Sequence, residues 1–169
     1  SGSTLIEKLV SQKKEIIGFG ECQIVKKLVL SLILKKSSPS LIQLYKNEFQ
    51  SLNQSQRFVD KTLNNFPFIG IILKSFPNAK FINCLRNPKE NALAIYNIFF
   101  DTLPWTHSLD NILKYMNKYY NIMNNLGKKF APNIYNIHHK NLVNNPEREV
   151  SNLFKFLGIR YEPEAVSYT

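Results

Sequence analysis

The stretch KFINCLRNPKENALAIYNIFF, residues 80–100, decides the fold. The apolar run 81–85 predicts a short buried strand, and the amphipathic segment that follows predicts a helix. Pro88 falls in the first turn of this helix, where a missing N–H costs least. Arg86 stands where the strand ends, so its guanidinium would lie beside a helix N-terminus, a position suited to an anion such as a phosphate. The alternative is an arginine that caps a surface turn.

The rest of the chain repeats this alternation of short apolar strands and amphipathic helices. Ser40 and Ser108 are predicted helix N-caps, and Gly127 and Gly158 are predicted helix ends. The pattern predicts an α/β fold, a P-loop-like three-layer sandwich with a short, largely parallel sheet flanked by helices. We see no linker or repeat, so residues 1–169 are expected to form a single domain. The predicted helices cover residues 4–12, 23–34, 41–52, 65–76, 88–100, 109–126 and 145–157. The predicted strands cover 57–60, 80–85 and 133–138, and residues 15–20 form a short apolar segment that ends in glycines.

Composition excludes several classes of protein. The chain has 169 residues, of which 44% are hydrophobic, so it is long and apolar enough to form a core and is not disordered. Cys22, Cys84 and three scattered histidines do not form a disulfide framework or a structural zinc site. The apolar run 28–34 is far shorter than the about 20 residues that span a bilayer. No secretory signal is visible, which favours a cytoplasmic location, and the composition favours a bacterial source.

The net charge of +10 leaves two interpretations open. A basic protein often binds nucleic acid, a membrane or an anionic ligand. The chain is also rich in Asn, Ile and Lys together, which is the composition that AT-rich coding produces. The lysines are dispersed and are not interleaved with stacking aromatics, so we expect no specific nucleic-acid binding, only weak and salt-sensitive association. A small anionic ligand is compatible with the charge.

Three further segments carry candidate functional groups. Residues 1–4, SGST, open a helix whose N–H groups and hydroxyls are suited to an anion, although an ordinary capped helix or a cloning remnant has the same sequence. Glu21 follows the glycine-ended segment GFG and is a candidate general base, or else an acid at a helix N-terminus. Lys61 follows a predicted strand and is placed to neutralise charge on a transferring group, or else is a solvated loop lysine.

Taken in order, these segments resemble the sulfotransferases that are fused to TPR repeats and related to tyrosylprotein sulfotransferases. The family motifs are P-R-S-G-T-T-L, G-x-G-E, D-K-x-P-x-N-F, a segment centred on R-x-P, and Y-E-D-L followed by F-L-G. The resemblance covers essentially the whole chain. The matching segments are SGSTL at 1–5, GFGE at 18–21, VDKTLNNF at 59–66, FPNAKFINCLRNPKENALAIY at 76–96 and HHKNLVNNPEREVSNLFKFLGI at 138–159.

The resemblance implies an enzyme that moves a sulfuryl group from 3′-phosphoadenosine 5′-phosphosulfate (PAPS) to an acceptor hydroxyl or amine, with no metal. By matching positions, Ser1, Gly2, Ser3 and Thr4 would hold the 5′-phosphosulfate and Arg86 would hold the 3′-phosphate. The resemblance also implies two catalytic residues, Glu21 as the base for the acceptor and Lys61 near the phosphosulfate.

The chain departs from the family pattern at several places. Ala94 stands where the family usually has a serine that bonds the 3′-phosphate, Leu63 replaces a proline, and residues 139–141 replace Y-E-D. The family's first strand, the basic residue before Ser1 and the segment beyond Thr169 lie outside the sequence, so we expect a fragment of a longer protein. Three alternatives stay open: a degenerate or truncated domain that binds adenosine 3′,5′-bisphosphate (PAP) without catalysis, a P-loop nucleotide kinase, and a basic nucleic-acid-binding domain. The acceptor is not specified by the sequence.

Overall fold

The computed structural model describes residues 2–37, 39–50, 56–98 and 100–161, which form two compact units. The amino-terminal unit is Gly2–Ala79, and the carboxy-terminal unit is Lys80–Tyr161. Each unit contains one pair of parallel strands and the helices that follow the strands in sequence. The predicted α/β class with parallel strands is confirmed, and the strands pair as two separate two-stranded sheets, β1 with β2 and β3 with β4.

In the amino-terminal unit, the strands pair in parallel with Ile16 opposite Arg57 and Gly18 opposite Val59. A 3-10 helix over Leu63–Phe68, which contains Pro67, precedes the last helix. The elements in chain order are α1 (Ser3–Val10), β1 (Ile16–Gly18), α2 (Ile24–Ile33), α3 (Leu41–Glu48), β2 (Arg57–Val59) and α4 (Ile69–Ser75).

In the carboxy-terminal unit, the strand pair is also parallel, with Phe81 opposite Ile134 and Leu85 opposite His138. Single 3-10 helices precede α6 and β4, at Pro104–His107 and Ala131–Asn133. The elements in chain order are β3 (Phe81–Leu85), α5 (Pro88–Ile98), α6 (Leu109–Lys129), β4 (Ile134–His138), α7 (His139–Asn144) and α8 (Pro146–Leu157).

The core follows the helical periodicity of the sequence. Helix α8 buries a stripe spaced three and four residues apart, formed by Val150, Leu153, Phe154 and Leu157, as expected for an amphipathic helix on a sheet. Between α5 and α6, a second cluster is formed by Ala92, Ile112 and Met116, with Ile95, Trp105 and Tyr120 packed against it. Trp105 is thus a packing residue of this cluster.

A polar chain crosses the strands of the carboxy-terminal unit. The Tyr119 hydroxyl on α6 donates a short hydrogen bond to Asn83 Oδ1 on β3. Asn83 Nδ2 in turn donates to Asn136 Oδ1 on β4, at 2.8 Å. Asn83 is buried, so these bonds satisfy an amide that would otherwise be costly to remove from water.

Two predicted helix caps are confirmed. Ser40 Oγ accepts the Gln43 N–H at 3.2 Å and begins α3. Gly158 ends α8 with φ of 64°, in the left-handed region that favours glycine.

Other predicted helix boundaries are wrong. Helix α6 continues through Gly127 to Lys129, because its buried apolar face outweighs the about 1 kcal/mol that a glycine costs inside a helix. Ser108 precedes α6, but its side chain makes no capping hydrogen bond. Helix α7 was not predicted, α5 ends at Ile98 and α3 ends at Glu48. The predicted end of α3 at residue 52 lies outside the described residues, as does Phe99. None of the described helices has the length and apolar character needed to cross a membrane.

Candidate functional site

The turns after β1 and β2 are joined by backbone hydrogen bonds. The Phe19 N–H donates to the Val59 carbonyl at 2.9 Å, and the Lys61 N–H donates to the Gly20 carbonyl at 2.8 Å. The parallel pairing therefore continues beyond the strands and holds the two connecting turns side by side. This arrangement places the residues that follow each strand at the same edge of the pair.

The two residues predicted to be catalytic meet at this edge. Lys61 Nζ lies 3.1 Å from Glu21 Oε1 and donates a hydrogen bond to it. The Glu21 side chain is 50% exposed, whereas that of Lys61 is 17% exposed. A carboxylate that reaches solvent can accept a proton from a bound molecule, and an adjacent ammonium can stabilise negative charge that develops there.

Asp60 organises the turn that carries Lys61. Its Oδ1 accepts the Thr62 N–H at 2.8 Å, and its Oδ2 accepts the Tyr45 hydroxyl at 2.6 Å and Asn65 Nδ2 at 3.0 Å. A carboxylate with three donors fixes the backbone on both sides of Lys61. The role of Asp60 is thus to position Lys61.

Burial and the Asp60 carboxylate also act on two neighbouring groups. Burial, with a further contribution from Asp60, raises the pKa of the Cys22 thiol to about 12. The same two causes raise the pKa of the Tyr45 hydroxyl well above its usual range. Both groups therefore stay protonated near neutral pH, and Cys22 is not a thiolate nucleophile.

Helix α1 is bound to the turn that precedes Glu21. Glu7 Oε1 accepts the Gly20 N–H at 2.7 Å. A side chain at Gly18 would displace its neighbours, because a Cβ would lie 2.7 Å from Ser11 Oγ and 3.1 Å from Glu7 Oε1. The role of Glu7 was not predicted. The signal for it in the sequence was the glycine turn, whose N–H groups need hydrogen-bond acceptors.

The predicted anion-binding residues 2–4 open α1. Gly2 has φ of 84°, a left-handed conformation that glycine adopts without strain, and it provides no side-chain cap. Ser3 and Thr4 occupy the first two helical positions, and Thr4 is exposed. The α1 dipole favours negative charge at this end. Ser1, the first predicted ligand of the phosphosulfate, lies outside the described residues.

Arg86 lies at the carboxyl end of β3, as predicted, directly before α5. Asn87 Oδ1 accepts the N–H groups of Lys89 at 3.0 Å and Glu90 at 3.4 Å, so Asn87 caps the helix and Arg86 does not. Arg86 Nε donates to Glu90 Oε2 at 3.4 Å. In the described part of the chain, no partner is recorded for the two terminal nitrogens of this guanidinium.

Two adjoining cavities open beside Arg86, with volumes of about 250 Å³ and about 350 Å³. Both are lined by Arg86, Asn87 and Lys140, and they lie where β3 and β4 end. The first is completed by Leu85, Pro88, Tyr120 and His138, and the second by Glu90, His139, Val143 and Asn144.

The contribution of β4 to this region was not predicted. His138 ends a predicted strand and His139 and Lys140 follow it, as Arg86 follows β3, and parallel strands bring such residues to one edge. The position of these residues at the ends of two parallel strands was the signal in the sequence that could have predicted their proximity. Arg86 belongs to the carboxy-terminal unit, whereas Glu21 and Lys61 belong to the amino-terminal unit.

Ala94 lies one helical turn after Glu90 on α5. The spacing of Glu90 and Ala94 by four residues places them on one side of this helix. Ala94 is half-buried and provides no hydroxyl. Among residues 2–37, 39–50, 56–98 and 100–161, no three His, Cys, Asp or Glu side chains gather as a metal site would require.

Comparison with known proteins gives two findings. A family model described as "Sulfotransferase family" matches residues 34–163, a span that includes Lys61 and Arg86 and begins after Glu21. The chain is also similar to an uncharacterized protein of Aquifex aeolicus (strain VF5), with 29% identity over 194 aligned positions. That alignment covers 99% of this chain and 25% of the relative, so the chain spans about a quarter of the relative's length.

Proposed function

Because this chain belongs to the sulfotransferase family, we propose that it binds PAPS and transfers the sulfuryl group to an acceptor hydroxyl or amine. The observation that carries the proposal is the cavity at Arg86. A guanidinium with two unengaged terminal nitrogens lines an open space at the carboxyl end of a parallel strand, together with Lys140. Phosphate groups are bound at such positions by charge-assisted hydrogen bonds.

Each proposed contact to the donor has its own support. Arg86 binds the 3′-phosphate in the cavity it lines. Gly2, Ser3 and Thr4, with Ser1, bind the 5′-phosphosulfate at the amino terminus of α1. The left-handed Gly2 and the favourable helix dipole support this second contact.

The Glu21–Lys61 pair supports the transfer step. An acceptor oxygen or nitrogen forms a bond to sulfur while the bond from sulfur to the bridging phosphate oxygen breaks and PAP leaves. Glu21 accepts the proton from the acceptor, and Lys61 stabilises the charge that develops on the departing oxygen. The 3.1 Å contact between Lys61 Nζ and Glu21 Oε1 keeps both groups at the same edge.

Calorimetric titration with PAP tests the donor site. We expect binding in roughly the micromolar range, with no binding of ATP/Mg²⁺, and its loss in Arg86→Ala. Arg148→Ala is the matched control, because Arg148 is an exposed arginine of α8 that lines neither cavity. Unchanged PAP binding in Arg86→Ala would refute the Arg86 assignment, and preferential binding of ATP/Mg²⁺ would favour a nucleotide kinase.

A PAP-binding domain without turnover is the second candidate, and Ala94 favours it. Loss of one hydroxyl to a charged phosphate weakens donor binding by about 1.5–3 kcal/mol. Transfer of labelled sulfate from PAPS to a panel of phenols, saccharides and tyrosine peptides distinguishes the two functions. Turnover that depends on Glu21 supports the enzyme, whereas PAP binding without turnover of any acceptor supports the binding domain.

A further inference from the structure

We infer that Lys140 is a second phosphate-binding residue, which holds the 3′-phosphate of the nucleotide together with Arg86. The inference deepens the proposed function and rests on it. Lys140 belongs to α7, which directly follows β4, and β4 pairs with the strand that precedes Arg86. Residues that follow two neighbouring strands would thus bind the same phosphate.

The strand register brings the two cations to one place. Leu85 pairs with His138, so the chain leaves β3 at Arg86 and leaves β4 at His139 from the same edge. Lys140 follows one residue later, in the first turn of α7. Both side chains line the cavity of about 250 Å³ and the cavity of about 350 Å³.

The charges at this edge are unbalanced. The side chain of Lys140 is exposed and has no hydrogen-bond or ion-pair partner within the part of the chain that the structure describes. Arg86 shares its Nε–H with Glu90, and its terminal nitrogens stay available. Two cations therefore face one carboxylate, and a phosphate dianion bound between Arg86 and Lys140 would supply the missing negative charge.

The absence of a hydroxyl at Ala94 supports a phosphate-binding role for Lys140. One turn after Glu90, α5 has a methyl group at Ala94, so this side of α5 contributes no hydroxyl. A phosphate that lacks this donor needs another, and Lys140 provides an ammonium with three N–H groups from α7, directly after β4. Lys140 thus replaces a neutral hydrogen bond with a charged one.

Paired titrations of Lys140→Met test the inference with PAP and with adenosine 5′-phosphate, which lacks the 3′-phosphate. We expect Lys140→Met to weaken PAP binding about fivefold or more and to leave the affinity for adenosine 5′-phosphate unchanged. Lys155→Met is the control, because Lys155 is exposed on α8 and lines neither cavity. Thermal melting of both variants establishes that they are folded.

The outcomes separate this inference from the function on which it rests. Unchanged PAP binding in Lys140→Met, with clear binding by the parent chain, overturns the role of Lys140 alone. An equal loss for both nucleotides also overturns it, because Lys140 would then contact a part of the ligand that they share. Absence of PAP binding by the parent chain overturns the proposed function and this inference with it.

Discussion

At the edge beyond β1 and β2, the polar side chains are hydrogen-bonded to other groups of the protein, whereas the edge beyond β3 and β4 opens onto cavities lined by Arg86 and Lys140. In the first region, Glu21 pairs with Lys61, Asp60 accepts three donors and Glu7 holds Gly20. In the second, Arg86 uses its Nε–H alone among its donors, and Lys140 is unpaired among the described residues. The contrast is compatible with the proposal that the first edge performs the chemical step and that an anion binds at the second.

The largest expected effect is that of Glu21→Gln. The amide keeps the size of the side chain but cannot accept a proton as a base, so turnover should fall by about a hundredfold or more. PAP affinity should be retained, since the proposed donor phosphates do not contact Glu21. Initial rates of sulfuryl transfer and PAP titration measure the two effects. Glu15→Gln is the control, because Glu15 is exposed. Unchanged turnover in Glu21→Gln would show that Glu21 is not the base.

Glu7→Ala tests whether the first edge is built by internal hydrogen bonds. It removes the acceptor of the Gly20 N–H and should lower the free energy of unfolding by about 1.5 kcal/mol or more. Glu7→Gln keeps a neutral acceptor and should lower the free energy of unfolding by less. Urea denaturation of both variants measures the difference, with Glu15→Ala for comparison. Equal stability of all of these variants would show that Gly20 needs no partner.

Ala94→Ser tests whether the second edge lacks a donor. A hydroxyl at this position should strengthen PAP binding by about tenfold and leave adenosine 5′-phosphate unaffected. Competition titrations against PAP give the ratio directly. Ala131→Ser serves as the matched substitution at an exposed site outside both cavities. A weaker PAP complex in Ala94→Ser would mean that the phosphate lies elsewhere.

The alkylation rates of the two thiols, Cys22 and Cys84, should depend on pH differently in the folded and unfolded chain. Burial, with a contribution from Asp60, raises the pKa of Cys22 to about 12, and burial raises the pKa of Cys84 to about 11. A raised thiol pKa lowers the thiolate fraction at a given pH, so iodoacetamide at pH 8 should modify either folded thiol at least about tenfold more slowly than in urea. The rates should increase toward pH 11. Peptide mapping by mass spectrometry separates the two sites, and rapid labelling of Cys22 in the folded chain would contradict its burial beside Asp60.

The smallest effect is expected for Glu90→Gln. It removes the carboxylate that competes with a bound phosphate for Arg86, and PAP binding should tighten by about twofold at low salt. The gain should shrink as salt is added, since the pair is largely exposed. Glu147→Gln controls for net charge, because Glu147 is an exposed residue of α8. Weaker binding would instead mean that Glu90 orients Arg86.

Local patterns in the sequence predicted most of the elements correctly. The strand before Arg86, the cap at Ser40 and the helix end at Gly158 depend on neighbouring residues and were confirmed. Gly127 was misread because burial of the α6 face, which propensity does not describe, keeps the helix intact. The partners of Asp60 and Glu7 come from positions distant in sequence, so no local pattern contains them.

The candidate site shows the same limit. The sequence singled out Glu21, Lys61 and Arg86 separately, and the structure adds that the first two are bonded to each other. Lys140 was noted as a departure from a motif, yet its position beside Arg86 depends on which strands pair and in which register. Strand pairing is a long-range property, so the composition of this cavity could not be read from its segments alone.

The hydrogen-bonded chain from Tyr119 through Asn83 to Asn136 has a consequence for any ligand at Arg86. Asn83 and Asn136 lie opposite each other, a few residues before Arg86 and Lys140. The hydrogen bond between their side-chain amides opposes sliding of one strand past the other. A slip of one residue would turn the buried Ile137 to the opposite face and change the spacing between the guanidinium and the ammonium. Loss of the Tyr119 hydroxyl would therefore loosen the strand register that sets this spacing, so the proposed phosphate site would depend on a phenol that lines neither cavity.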